Sequence, residues 1–215
     1  MKKPQDAYHH GDLRSSLVEE AVRVIEREGL DAFSLREVAR RVGVSPNAAY
    51  RHFEDKDALL SAVAAHGLGV LSRRMREAIE AVSVRGAGPR AIANLRATGR
   101  AYVAFALAKP ELFRVTFGRQ ASPPGPDQTC TNGEPDPYRV LEGCLDALVE
   151  ASVISPERRA GAELFAWTTV HGYASLALGG GPLASLEPLE PVLDLVIDGV
   201  LGPSATSARK PAAKR

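Results

Sequence analysis

The side chains most suited to chemistry on a partner lie between Ser34 and Lys56, in SLREVARRVGVSPNAAYRHFEDK. Asn47, Ala48, Tyr50, Arg51 and His52 form a row that two apolar neighbours, Ala49 and Phe53, leave facing outward. Asn47 carries the paired donor and acceptor that match the edge of adenine, and Ala48 offers a methyl contact to thymine. Arg36 and Arg40 stand four apart, on one face of a helix, and Arg51 and Lys56 flank the row. Guanidinium and ammonium groups so placed suit a polyanion. Ser34 and Ser45 stand at expected helix starts, where free backbone N–H groups point at phosphates and the hydroxyls add donors. A plain three-helix core would need Ala49 and Phe53 but has no use for the outward polar row.

Local signals dictate the elements that present these groups. Ser34 and Glu37 have the spacing of a capping box, in which each side chain satisfies the other residue's free N–H. Leu35, Val38, Ala39 and Val42 then share one face at helical spacing. Gly43 ends that helix because it tolerates the left-handed conformation of a tight C-cap. Ser45-Pro46 starts the next, with an N-cap and a Pro at the first helical position. Two short helices around a Gly turn make a helix-turn-helix, whose second helix enters the DNA major groove.

From about Leu13 to Leu60 the chain resembles the TetR family of one-component transcriptional repressors, on the Gly-Val-Ser turn, Tyr50, His52-Phe53, Lys56 and Leu59-Leu60 in register. The resemblance implies that Arg36 reads a base. It implies that Tyr50, His52 and Lys56 touch phosphate, and that Pro46, Asn47, Ala48 and Arg51 face the groove. The chain departs from common family spellings at Asn47, where Gly is frequent, and at Ala49, where a larger aliphatic is frequent. Direct readout is therefore sparse, and DNA shape is expected to contribute.

The rest of the chain reads as helical, giving an all-α fold of about nine helices. Asp12 can cap a helix from Leu13 to Glu28 that Gly29 stops, and Asp55 caps a long helix running to about Ile79, with a bend expected at Gly67 and Gly69. Gly86 to Pro89 is a break before a helix over 90–108, and Pro110 opens a short segment to Phe117. Arg119 to Pro137, rich in Pro and Gly, is a long loop. Further helices are expected over Tyr138–Ala151, Pro156–Leu178 (capped by Ser155) and Leu189–Leu201. The domain reading is an arm over 1–12, a DNA-binding domain over 13–60, a ligand-binding and dimerisation domain over 61–202 and a disordered tail over 203–215.

Trp167, His171 and Gly172, in that order, resemble the WHG group of TetR C-terminal domains. The resemblance implies dimerisation and a small-molecule pocket, drawing on Tyr102, Phe105, Phe113, Phe117, Trp167, His171 and Tyr173. Each aromatic residue, and His171, also fits ordinary core packing. Apolar faces on the last two helices, from Leu176, Leu189, Val192, Leu193, Val196, Ile197 and Val200, suit a four-helix interface between two copies. The expected partners are thus a double-stranded DNA operator, a small-molecule effector and a second copy of the chain.

Composition sets the outer bounds. The chain has 215 residues, 45% of them hydrophobic, and a net charge of +1. Residues 1–60 hold ten Lys/Arg against eleven Asp/Glu, so DNA binding must rest on which face carries the charge, including Lys2, Lys3 and Arg14. No apolar run reaches the roughly 18 residues of a membrane span. The N-terminus lacks the apolar core of a secretory signal, so a cytoplasmic location is expected. Cys130 and Cys144 form neither a disulfide framework nor a zinc pattern. No nucleotide-binding, hydrolase or metalloprotease motif occurs, so no enzymatic activity, cofactor or metal is expected. The competing reading is a helix-turn-helix DNA-binding or interaction protein without a small-molecule ligand.

Overall fold

The computed structural model describes residues 13–118 and 136–202. The expected arm, with Lys2, Lys3 and Asp12, the central part of the loop, with Cys130, and the tail lie outside the described residues. The described chain is all-α, without a strand. Its helices are α1 (Leu13–Glu28), α2 (Leu35–Val42), α3 (Pro46–Tyr50), α4 (Lys56–Glu80), α5 (Ala87–Ala108), α6 (Pro110–Thr116), α7 (Pro137–Glu150), α8 (Pro156–Arg159), α9 (Ala162–Ala177) and α10 (Leu189–Leu201).

Two boundaries differ from the sequence reading. The span expected as one helix from Pro156 to Leu178 divides into α8 and α9, because the chain turns at Gly161 with φ 77°. The Ser155 cap stands, with Arg158 N–H donating to its Oγ. Helix α5 starts at Ala87 rather than residue 90, with Pro89 inside the first turn, where a proline removes no helical hydrogen bond. Helix α4 runs unbroken over 25 residues, with Gly67 and Gly69 inside it.

Two compact units result, Met1–Arg73 with Ala108–Pro137, and Arg74–Leu107 with Tyr138–Arg215. In the first, Leu17, Ala21, Val24 and Ile25 of α1 pack into a core with Phe33, Val38, Ala39, Ala49, Phe53 and Leu59, all buried. Each large aliphatic or aromatic side chain there contributes about 1.5–3 kcal/mol. Helix α6 joins this unit by lying against α1, and Lys109 Nζ meets Glu26 Oε2 at 2.6 Å.

Gly67 serves that packing. A β-carbon there would overlap Thr116 Oγ1, which is buried and donates to Leu112 O. An exposed Gly→Ala change inside a helix gains up to about 1 kcal/mol, whereas overpacking a core costs about 1–3 kcal/mol. Gly67→Ala is therefore expected to lower the urea midpoint, and Gly67→Ala with Thr116→Ala to recover part of the loss. A stabilised Gly67→Ala single variant would contradict this packing.

In the second unit Tyr102, Val103 and Phe105 of α5, Leu145 and Leu148 of α7, and Ala166, Val170 and Ala174 of α9 are buried. So are Leu189, Leu193, Val196, Ile197 and Val200 of α10. This corrects the expected pairing face. Those five residues fill the unit's own core, and Val192 is half-buried. The apolar side chains left outside on α9 and α10 are Leu164, Phe165, Leu176 and Leu195. Arg158 closes α10 by donating from Nε to Val200 O at 2.9 Å, placing a cation at the negative end of the helix dipole.

Candidate nucleic-acid interface and interior cleft

Caps hold the α2–turn–α3 segment as the residues require. Glu37 N–H donates to Ser34 Oγ at 3.2 Å, and Ala48 N–H to Ser45 Oγ at 3.2 Å. Gly43 takes φ 83°, ψ 24° and returns its N–H to α2 carbonyls. Asp55 Oδ1 accepts from Ala58 N–H at 2.8 Å, capping α4 as expected. The capping box is only half formed. Arg40 Nη2 donates to the Glu37 carboxylate at 2.7 Å and Arg41 Nε at 2.6 Å, and charge-assisted bonds of this kind outcompete a backbone N–H.

These arginines hold the Glu37 carboxyl at a pKa of about 2, far below the usual carboxylate range. Arg41 also meets Glu28 Oε1 at 2.7 Å, tying the end of α1 to α2. A carboxylate with a depressed pKa lends its ion pairs above its unfolded pKa and loses them as pH falls through the folded one. The Glu37 ion pairs with Arg40 and Arg41 are therefore intact across the neutral range. Two of the three α2 arginines are thus engaged, while Arg36 is exposed and makes no ion pair or hydrogen bond with the described residues.

Ser34, Ser45, Pro46, Asn47, Tyr50, Arg51 and Lys56 are exposed, and Ala48 and His52 are half-buried. Helix α3 ends at Tyr50, so Arg51 and His52 sit in the turn just beyond it. Ala49 and Phe53 are buried beneath. Lys56 Nζ lies 5.4 Å from the Phe33 ring centroid, and Arg14 Cζ 4.9 Å from that of Phe53. Such cation–π contacts restrain long side chains without neutralising them. The Glu37–Arg41 pair was legible as an i,i+4 spacing. No sequence periodicity points to the Arg14–Phe53 contact.

The second unit contains an apolar cleft lined by Met75, Leu95, Tyr102, Trp167, Val170 and Leu193 among others. The space between its side chains, counted out to solvent, is about 400 Å³, but the part wide enough for a water molecule is about 20 Å³. That is room for roughly one water. Tyr102 and Trp167, both expected to line a pocket, meet edge to face with centroids 5.2 Å apart. His171 and Tyr173 stand outside the lining: His171 Nδ1 lies 2.7 Å from the Tyr102 hydroxyl, and the Tyr173 hydroxyl donates to Ser185 O. Burial lowers the pKa of His171 and raises that of Tyr102, favouring the neutral pair. Phe105 is fully buried beside Arg74 and does not line the cleft. Phe113 and Phe117 belong to the first unit and pack on each other, centroids 4.8 Å apart.

Residues 17–63 match the model of the tetR family of bacterial regulatory proteins, and residues 95–200 match that of the tetracyclin repressor-like C-terminal domain. The chain belongs to the TetR family. A protein of unknown function from Rhodococcus sp. RHA1 is 32% identical over 92% of this chain and 100% of its own, with a TM-score of 0.72. A TetR family transcriptional regulator from Thermus thermophilus is 21% identical, over 85% and 97%, with a TM-score of 0.60. A TetR variant from Acinetobacter baumannii, solved with minocycline, is 17% identical over 87% and 93%, with a TM-score of 0.57. As a TetR family member the chain is a DNA-binding transcription regulator of the helix-turn-helix type. The narrower WHG likeness rests on Trp167, His171 and Gly172 alone.

In this TetR family chain no described helix is long and apolar enough to cross a membrane. No described group of three His, Cys, Asp or Glu residues is placed to hold a metal ion. Cys144 is buried in α7, and burial pushes its thiol up to about 11. The thiolate is the reacting form. Native Cys144 should therefore resist iodoacetamide at pH 8 and react rapidly in denaturant, as read by peptide mass; equal rates would contradict its placement.

Proposed function

We propose that the protein is a repressor that binds a near-palindromic operator as a homodimer and is released by a small, mainly apolar ligand. One observation carries the DNA-reading half. Arg36 is the α2 arginine left without a partner among the described residues, and it is exposed, as are Asn47, Tyr50, Arg51 and Lys56. In this reading Arg36 hydrogen-bonds guanine O6 and N7, and Asn47 reads adenine. Tyr50, His52 and Lys56 hold phosphates, the Ser34 and Ser45 caps add contacts at the helix starts, and Pro46, Ala48 and Arg51 line the groove.

The dimer reading is supported by α9 and α10. Leu164, Thr168, Gly172 and Leu176 recur every four residues, and Leu195 is exposed on α10. Thr168 Oγ1 donates to Leu164 O at 2.8 Å, so the hydroxyl is satisfied within the helix. A β-carbon at Gly172 would meet nothing, which leaves space for a facing helix. Two such helices from each copy make a four-helix interface.

The ligand reading is supported by the apolar cleft beside Trp167, to which Met75 of α4 contributes. Helix α4 also supplies Leu59 and Val63 to the core of the DNA-binding unit, so one continuous helix serves both units. A ligand that favours the non-binding form by about 1–3 kcal/mol lowers operator affinity about 5- to 150-fold. The competing reading, a DNA-binding protein without a ligand, draws on the narrowness of the cleft. Trp167 is the single tryptophan, so its fluorescence reports on the cleft directly. Screening small apolar compounds for a change in that fluorescence together with operator release tests the proposal. Compounds that bind near Trp167 and release DNA support it; none doing both across a broad set leaves the ligand-free reading.

A further inference from the structure

Among the described residues lining the cleft, one side chain is charged: Arg96 of α5. Its side chain is about one-third exposed, so it stands where the apolar wall meets solvent. The other polar lining groups are engaged. Thr98 Oγ1 donates to Leu95 O at 2.8 Å, and the Tyr102 hydroxyl is paired with His171. Arg96 is held from outside by two carboxylates of α10, Glu190, 3.4 Å from Nη1, and Asp194, on Nη2. Arg100 shares Glu190. Leu193, Val196 and Ile197 of the same helix form the apolar wall behind. The rim of the cleft is thus an ion-pair clasp between α5 and α10.

We infer that the effector is an amphiphile with an anionic head and an apolar tail, whose head replaces Asp194 on Arg96 while the tail enters the cleft. This rests on the ligand-responsive reading above and narrows it to a chemical class. Partly exposed ion pairs contribute little each, so exchanging one carboxylate for another on the same guanidinium costs little. A neutral head cannot restore the charge-assisted bond, and a cationic head meets the charge of Arg96. Once Asp194 is released, α10 keeps only its Glu190 ties to Arg96 and Arg100 of α5, and with the clasp weakened the cleft can widen from its pinched form.

Octanoate, octanol and octyltrimethylammonium share one tail and differ in the charge of the head. Titrated against the full chain and followed by Trp167 fluorescence, octanoate is expected to bind about two- to fivefold tighter than the other two. Arg96→Gln should remove that preference while leaving octanol binding in place. Asp194→Asn removes the competing carboxylate and should tighten octanoate by about two- to fivefold; it carries the test should Arg96→Gln fail to fold. Arg100→Gln, outside the lining, should keep the preference. Equal binding of all three probes with operator release overturns the anionic class and leaves the ligand reading standing. Tightest binding of the cation, or an unchanged preference in Arg96→Gln, also overturns it. No Trp167 response and no operator release with any probe overturns both.

Discussion

Replacing Leu176 and Leu195 together by Asp is expected to turn the proposed dimer into monomers and to remove measurable operator binding. Their side chains are among the most exposed apolar groups of the described protomer, at 67% and 70%. Burying a leucine contributes about 1.5–3 kcal/mol, and in a two-fold interface each substitution counts twice. The loss is then roughly 6–12 kcal/mol, comparable with the whole association energy of a micromolar to nanomolar dimer, before the added cost of four buried carboxylates. Neither side chain belongs to the protomer's core, so the monomers should keep the helical circular dichroism of the folded chain, while their melting temperature falls by what dimerisation contributed. Leu193→Asp would instead unfold the second unit, since Leu193 is 2% exposed. Light scattering at micromolar concentration checks the assembly. A double variant that remains dimeric would move the interface away from α9 and α10.

The second large effect separates base reading from phosphate binding. Arg36→Ala is expected to cost about 1–3 kcal/mol on the operator and to relax preference at one base pair in each half-site. Lys56→Ala should weaken operator and random DNA alike and reduce the dependence of log affinity on log salt by about one unit per lost contact. The structure makes Arg36 the more informative arginine of α2. Removing Arg40 or Arg41 would also break the bonds to Glu37, and with Arg41 the tie to Glu28, so their losses would mix reading with folding. Equal losses by the Arg36 variant on operator and random duplexes would exclude its base-reading role.

Much of this was legible because cap chemistry is local. Ser34, Gly43, Ser45-Pro46 and Asp55 each act within about four residues, so their types and spacing set the ends of α2, α3 and α4 without knowledge of the fold. Leu189 and Leu201 likewise bound α10 where periodicity placed them. What the residues did not reveal is which apolar stripe meets which surface. Leu189, Leu193, Val196 and Val200 have the spacing of a core face and of a dimer face alike, and the packing of α5 against α10 decides for the core. Gly99 shows how close that packing is, since a β-carbon there would lie 2.7 Å from Leu193 Cδ2. The role of Gly67 depends on Thr116, 49 positions away in the sequence. Grouping Phe113 and Phe117 with Trp167 failed to foresee that α6 joins the unit of α1. Ser34 and Glu37 had the spacing of a full capping box, but competition from Arg40 and Arg41 leaves only the Ser34 half.

The central claim is sequence-specific binding of duplex DNA by a two-fold dimer. It is tested most directly by titrating the protein against its own promoter fragment and a scrambled duplex of equal length, at one fixed salt concentration near the physiological value. Two protomers, or a multiple of two, are expected on a near-palindromic site whose half-sites lie about one helical turn, ~34–36 Å, apart. Preference over the scrambled duplex should be about a thousandfold or more. Equal affinity for the two duplexes, or saturation by a single protomer, would contradict it.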